Sequence, residues 1–197
     1  MKTKWIIAGV GVLVVTGAMP WAVGYITEQQ WQVVTRELNQ AQPFVQLQTD
    51  DYRRGFFGSE LDGVVTILNP ESGEVRPIAY RAKVTHGVTG SFIDFQPVEG
   101  WAPEGADWFQ EHPRLTLETR LWGTAVLELE APAIAINNSE SGESLRTSGG
   151  IARIEISDAG SQAEALVVWP QLTFSGPDMS VRVNDFRVEH NMTHLQG

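Results

Sequence analysis

Cysteine is absent from this chain of 197 residues, which rules out a disulfide framework, a thiolate metal site and a thiol nucleophile. Histidine is scarce. His86, His112, His190 and His194 are the whole supply, and none stands in an H-E-x-x-H arrangement. His190 and His194 are four apart, a metal-ligand spacing on a helix, but "FRVEHNMTHLQG" follows a strand pattern and reads as an exposed tail. No G-x-S-x-G elbow occurs, and Gly9 and Gly11 lie inside an apolar run, where small residues serve helix packing rather than phosphate binding. Basic charge is also in short supply. After Tyr25 there are 12 basic against 24 acidic residues, with Lys83 the one lysine, a balance that argues against nucleic acid and against a body lying flat on anionic lipid. The scattered carboxylates give no reason to single out a catalytic pair. The residues point away from an enzyme and call for no metal or cofactor.

What is present begins with "WIIAGVGVLVVTGAMPWAVGY", Trp5 to Tyr25, 21 residues without a charge. As a helix this run is about 30 Å long, enough to cross a bilayer. Lys2 and Lys4 precede it and Glu28 is the first charge after it, which orients its start to the cytoplasm and exports the rest. Trp5, Trp21 and Tyr25 stand near its ends, where amphipathic rings prefer the headgroup region. A cleaved signal peptide is the competing reading, because Ala22 to Gly24 is a small-x-small site and Pro20 could end a shorter apolar region. The length of the run favours a retained anchor over residues 1–25.

Residues 26–42 read as a juxtamembrane amphipathic helix. Trp31, Val34, Leu38 and Ala41 form one stripe, with Glu28, Gln29, Gln32, Arg36 and Gln40 on the other faces, and Pro43 stops it. The stripe suits packing on a sheet or pairing with a second copy. From Phe44 onward the period becomes two: in "RLTLETRLW", Leu115, Leu117, Thr119 and Leu121 alternate with Arg114, Thr116, Glu118 and Arg120. "GVVTIL", "IAYRAKV", "TAVLELEAPAIAI", "IARIEI", "EALVVWPQLTF" and "SVRVNDFRV" read as further strands, divided by turns at "NPESGE", "HGVTGS", "NNSESGES", "SDAGSQ" and "SGPD". "NNSESGESLRTSGG" reads as a long hairpin loop, and residues 104–112 offer two or three helical turns at most. The expected class is mainly β with α (α+β): a transmembrane helix, an amphipathic helix, and an extended curved antiparallel β-sheet over residues 43–197.

One stretch is dense in side chains that could bind something. In "YRRGFFGS", residues 52–59, Gly55 breaks the strand pattern beside consecutive aromatics, which suggests a bend with one ring in the core and the other over a neighbouring element. The binding alternative uses Arg53 and Arg54 as paired donors to a phosphate or carboxylate, such as a lipid headgroup, with Asp50 and Asp51 near enough to neutralise both.

This stretch also carries a resemblance. Tyr52, Arg54, Gly55, Phe57 and Ser59 match the Y-x-R-G-x-F-S-S element of the YdgA-like family of bacterial envelope proteins, and His86 and Gly87 match its later V-x-H-G. Gly58 stands where the family usually has serine, and Val88 where proline often follows. Members are commonly more than twice this length, so the resemblance covers their amino-terminal part. It implies a β-rich protein attached to the bacterial inner membrane by a single span, with its body in the periplasm, and no catalytic residues.

The expected function is non-enzymatic: interaction or assembly in the envelope, through a homodimer or an envelope protein partner. The alternative is lipid handling on an apolar concave sheet face. Leu115, Leu117, Leu121, Val167 and Trp169 decide between them, being core if covered and a lipid track if open.

Overall fold

Period-two sequence gives strands. In the computed structural model the described residues are 2–41, 43–70, 72–102, 111–157 and 161–193, with side chains from residue 18 onward except 34, 37, 38 and 41. One helix, α1 (Lys2–Ala41), precedes eleven strands: β1 (Val45–Arg54), β2 (Gly58–Leu68), β3 (Val75–His86), β4 (Gly90–Pro97), β5 (Arg114–Arg120), β6 (Ala125–Ala131), β7 (Ile134–Asn138), β8 (Glu143–Thr147), β9 (Gly150–Ser157), β10 (Gln162–Ser175) and β11 (Ser180–Thr193). They form one large antiparallel sheet in the order β1-β2-β3-β4-β5-β6-β9-β10-β8-β7, with β11 paired to β10. The protein is mainly β, as the alternation requires. Contacts divide the chain into two compact units, residues 1–93 with 118–121, and residues 94–117 with 122–197.

The first unit is a helix packed on a sheet. Register places Ser59 opposite Val84, Leu61 opposite Ala82 and Gly63 opposite Tyr80, so these side chains share one face. Leu61, Tyr80, Ala82, Val84 and Ile93 are buried there, and Val23, Thr27 and Trp31 of α1 are buried as well. Residues 23, 27 and 31 recur every four positions and form one stripe along the helix. The indole N–H of Trp31 donates to Thr49 Oγ1 at 2.8 Å, which fixes the helix against β1. Asn39 then bonds both backbone groups of Leu47, at 2.9 and 2.7 Å, and so stands in for a neighbouring strand at the open edge of β1.

Two expectations for this region change. The anchor and the amphipathic helix are one continuous helix through Pro20, and its turn at residues 20–24 belongs to the packed unit, with Pro20, Val23 and Gly24 buried. Of the expected stripe Trp31 is buried; Val34, Leu38 and Ala41 lie outside the described side chains. Among the described residues no helix is long and apolar enough to cross a membrane. The side chains of residues 5–17, most of the expected span, lie outside them.

The second unit is strand upon strand. β10 pairs with β9 over residues 162–168 and with β8 over 172–175 along one edge, while β11 follows its other edge from end to end. The stretch expected as a long loop, "NNSESGESLRTSGG", is instead largely structured: β7 and β8 form a tight hairpin in which Asn138 Oδ1 accepts from the N–H groups of Glu140 and Ser141. The carboxy-terminal stretch is no tail either. It forms β11, and His190 sits in the ladder opposite Ala165; His194 lies outside the described residues, as do residues 104–110.

Candidate functional site

The resemblance residues meet at one corner of the first unit. β1 and β2 are joined by the turn Gly55–Gly58, closed by a Gly55 N–H bond to Gly58 O at 2.7 Å, and β3 and β4 by the turn Gly87–Gly90, closed by Gly87 N–H to Gly90 O at 2.8 Å. His86 N–H donates to Phe57 O at 2.8 Å, so both turns lie at the same end of the sheet. Gly24 of α1 packs there too. A Cβ on it would fall 2.8 Å from His86 Nε2, so only glycine lets the helix approach this closely.

Beneath that contact runs a buried chain of hydroxyls through His86. Ser59 Oγ lies 2.7 Å from His86 Nε2, His86 Nδ1 lies 3.1 Å from Ser91 Oγ, Ser91 Oγ lies 2.8 Å from Thr27 Oγ1, and Thr27 Oγ1 donates to Val23 O at 2.8 Å. The last bond sets the direction as far as the ring. Thr27 spends its proton on Val23, so Ser91 donates to Thr27 and His86 Nδ1–H donates to Ser91. With the imidazole neutral, Nε2 then accepts from Ser59. Burial pushes the His86 pKa below its ordinary value, and the Arg54 charge lowers it further. Tyr52, at the head of the chain, has a buried hydroxyl without a hydrogen bond of ordinary geometry among the described residues; burial raises its pKa and the neighbouring Ser59 opposes that shift.

A serine beside a histidine invites a catalytic reading, but Ser59, His86 and Ser91 of the sheet and Thr27 of α1 are all buried where the helix meets the strands. The chain joins three strands to the helix. What it can do chemically is hold them together.

The arginines divide their partners. Arg53 bonds Asp51, Asp62 at 2.6 Å and Glu60 at 3.4 Å, and Arg81 binds the other oxygen of Asp62 at 2.7 Å. Arg81 and then Arg53 hold the Asp62 carboxyl below its usual range, and Asp62 with Asp51 raises the Arg53 guanidinium. Arg54 reaches Glu28 at 3.3 Å and lies 5.3 Å and 5.5 Å from the ring centres of Trp21 and Tyr25. A headgroup would compete with these carboxylates for either side chain. The expectation that one of Phe56 and Phe57 enters the core is not met: they are 48% and 67% exposed, in edge-to-face contact at the tip of the turn. A two-residue tip has no sheet face to turn inward, so both rings project. The sequence gives no sign that Trp21, Gly24, Tyr25, Thr27, Glu28 and Ser91 belong to this corner: the first three fall in the apolar run, Thr27 and Glu28 in the helix expected after it, and Ser91 in a turn.

The second unit offers a different surface. Register aligns Ala125, Leu127, Leu129 and Ala131 of β6 with Ile156, Ile154, Ala152 and Gly150 of β9. Ile156, Ile154 and Ala152 in turn align with Ala163, Ala165 and Val167 of β10, Trp169 of β10 lies against Gly150, and these four align with Met192, His190, Val188 and Phe186 of β11. Cross-strand partners share a face, so His190 alone interrupts an apolar field four strands wide. The reverse face carries Glu128, Arg153 and Glu155, joined by ion pairs at 3.4 and 3.2 Å, with Arg187 and Glu189 on β11. Leu129, Ile154, Ile156, Phe186, Val188 and Met192 are each more than a third exposed. Among the described residues of this unit Phe95 is the one hydrophobic side chain that is buried. Of the residues expected to decide between core and track, Leu115, Leu117, Val167 and Trp169 are half-buried and Leu121, in the first unit, is 42% exposed.

No curated protein and no solved structure matches this chain. A sequence model of bacterial proteins of unknown function does match, over residues 1–196, and the chain therefore belongs to that family, DUF945.

Proposed function

We propose that this chain is a non-enzymatic protein of the bacterial envelope, tethered to the inner membrane by a single span over residues 5–25, that holds lipid acyl chains on the apolar face of β6, β9, β10 and β11. The observation that carries the reading is that face. A sheet surface this apolar must be covered by another layer or by a ligand, and six of its large side chains are more than a third exposed. The tether rests on the sequence: a charge-free run after Lys2 and Lys4, a pattern that leaves the body in the periplasm. The match of Tyr52, Arg54, Gly55, Phe57, Ser59, His86 and Gly87 to the YdgA-like element supports an envelope setting.

Photo-crosslinking side chains placed at Leu129 and Val188 in cells test the ligand. We expect lipid adducts at both positions and none at Glu155 on the reverse face. Protein adducts alone at Leu129 and Val188 would refute the lipid reading.

A second reading has its own observation. Among the described residues the outer edge of β11 has no strand partner, and its fourteen residues are nearly all exposed. A long open edge of this kind accepts an added strand from a protein partner or a second copy, which is the interaction role. Native mass spectrometry of the detergent-extracted protein separates the two readings by whether lipid or polypeptide is retained.

A further inference from the structure

We infer that the two turns at the motif corner, Gly55–Gly58 and Gly87–Gly90, are a membrane-docking surface that rests in the interface of the bilayer the chain is tethered to. The inference depends on the tether reading and adds a site to it. Three observations carry it.

The first is length. The uncharged run covers residues 5–25, but Pro20, Val23 and Gly24 are buried in the first unit. Residues 5–19 alone give about 22 Å of helix against a hydrocarbon core of about 30 Å. A span that ends at residue 19 is too short, so the turn of α1 at residues 20–25 has to reach the boundary of the membrane. Whatever the protein holds level with that turn reaches the boundary with it.

The second is what stands at that level. Gly24 touches His86, which leads into the second turn and bonds Phe57 of the first. Arg54, adjacent to the first turn, lies over Trp21 and Tyr25. Moving along α1 away from this point, Trp31 pairs with Thr49 and Asn39 with Leu47, so the helix leads away from the turns as its numbering rises. Of the two ends of the first unit's hairpins, the one with these turns faces the apolar run.

The third is chemistry. The tip sequences "GFFG" and "GVTG" carry no charge. Phe57 is 67% exposed, Phe56 48% and Val88 45%, beside Trp21 at 49%, Tyr25 at 48% and Ile26 at 40% on the helix. Apolar tips in water are a liability for a monomer, but aromatic side chains at the headgroup boundary are favoured. Arg54 sits among these rings with its charge balanced by Glu28, the arrangement of a cation whose stem lies in apolar surroundings and whose head stays at the polar boundary.

The absence of native cysteine makes the test clean. Phe57→Cys, labelled with an environment-sensitive fluorophore, is reconstituted as the full chain into phosphatidylethanolamine–phosphatidylglycerol vesicles that carry nitroxide lipids labelled near the glycerol level. Val88→Cys is a second reporter in the neighbouring turn, and Ser72→Cys, in the β2–β3 turn at the other end of the hairpin, is the control. We expect the protein to float with the vesicles, the label at 57 or 88 to lose most of its fluorescence to the nitroxide, and the label at 72 to keep it. A floating protein whose labels at 57 and 88 are quenched by aqueous iodide and not by the nitroxide lipid would overturn the docking surface and leave the tether standing. Protein that stays in the dense fraction would overturn both.

Discussion

His86 is the residue on which the corner turns, and its protonation gives the sharpest test. Its pKa is lowered in the folded chain, chiefly by burial, whereas in the unfolded chain it returns to the ordinary value of about 6.5. Below that value the unfolded state binds the proton first, so stability contributed by neutral His86 is complete above pH ~6.5 and is lost as pH falls toward the folded pKa. Thermal melts between pH 8 and pH 5 should show a falling midpoint for the wild type and a flatter profile for His86→Gln; equal slopes would mean that another group governs the acid response. Gly24→Val probes the same contact from the helix side. Its side chain meets the imidazole, with a Cβ 2.8 Å from Nε2, and we expect destabilisation of about 1–3 kcal/mol by urea unfolding. The sequence made the strand half of this corner legible, because Tyr52, Arg54, Gly55, Ser59, His86 and Gly87 recur as a recognisable spacing. The helix half was hidden. Gly24 and Thr27 adjoin or belong to an uncharged run, and hydropathy alone cannot tell a face that meets lipid from one that meets a sheet.

At the scale of elements, the turn Gly55–Gly58 separates backbone from side-chain effects. A Cβ on Gly55 would lie 2.7 Å from Gly58 O, so Gly55→Val should cost about 1–3 kcal/mol through strain in the turn. Phe57→Ala should change stability by no more than about 0.5 kcal/mol, since the ring is 67% exposed. A Phe57→Ala loss of several kcal/mol in denaturant titration would place the ring in a core, contrary to the structure. Strands were read well wherever apolar and charged residues alternate, as in "RLTLETRLW". They were missed where the alternation is written in polar residues. In β8, "ESLRT", the ladder is made by backbone bonds to β7 and β10, and serine, threonine and arginine serve as readily in a strand with one wet face as in a loop. The strand read in "SVRVNDFRV" runs on through His190 to Thr193; because β11 is mostly exposed, the sequence beyond Val188 does not separate a strand from a tail.

The whole molecule divides its apolar residues unequally, and that division governs what substitution should do. In the first unit Leu61, Ala82, Val84 and Ile93 are buried under α1, and Leu61→Ala should cost about 2–5 kcal/mol. In the second unit Ile154 and Val188 share the open face and are 41% and 46% exposed. Sequence period put Leu115, Leu117 and Leu121 on one face of their strand; it could not say which face is covered, because coverage is a property of tertiary packing rather than of alternation. Ile154→Asp combined with Val188→Asp therefore probes the functional reading without touching a core. If the face holds acyl chains, the double variant should keep the wild-type melting midpoint within a few degrees in detergent and lose its co-purified lipid by native mass spectrometry. Two carboxylates on a surface already open to water stay hydrated, whereas in contact with an acyl chain each would be desolvated without a partner. Retention of lipid at the wild-type level by a folded double variant would move the binding site off this face. Collapse of the melt would mean that the face is covered, and the second unit would then carry a core after all.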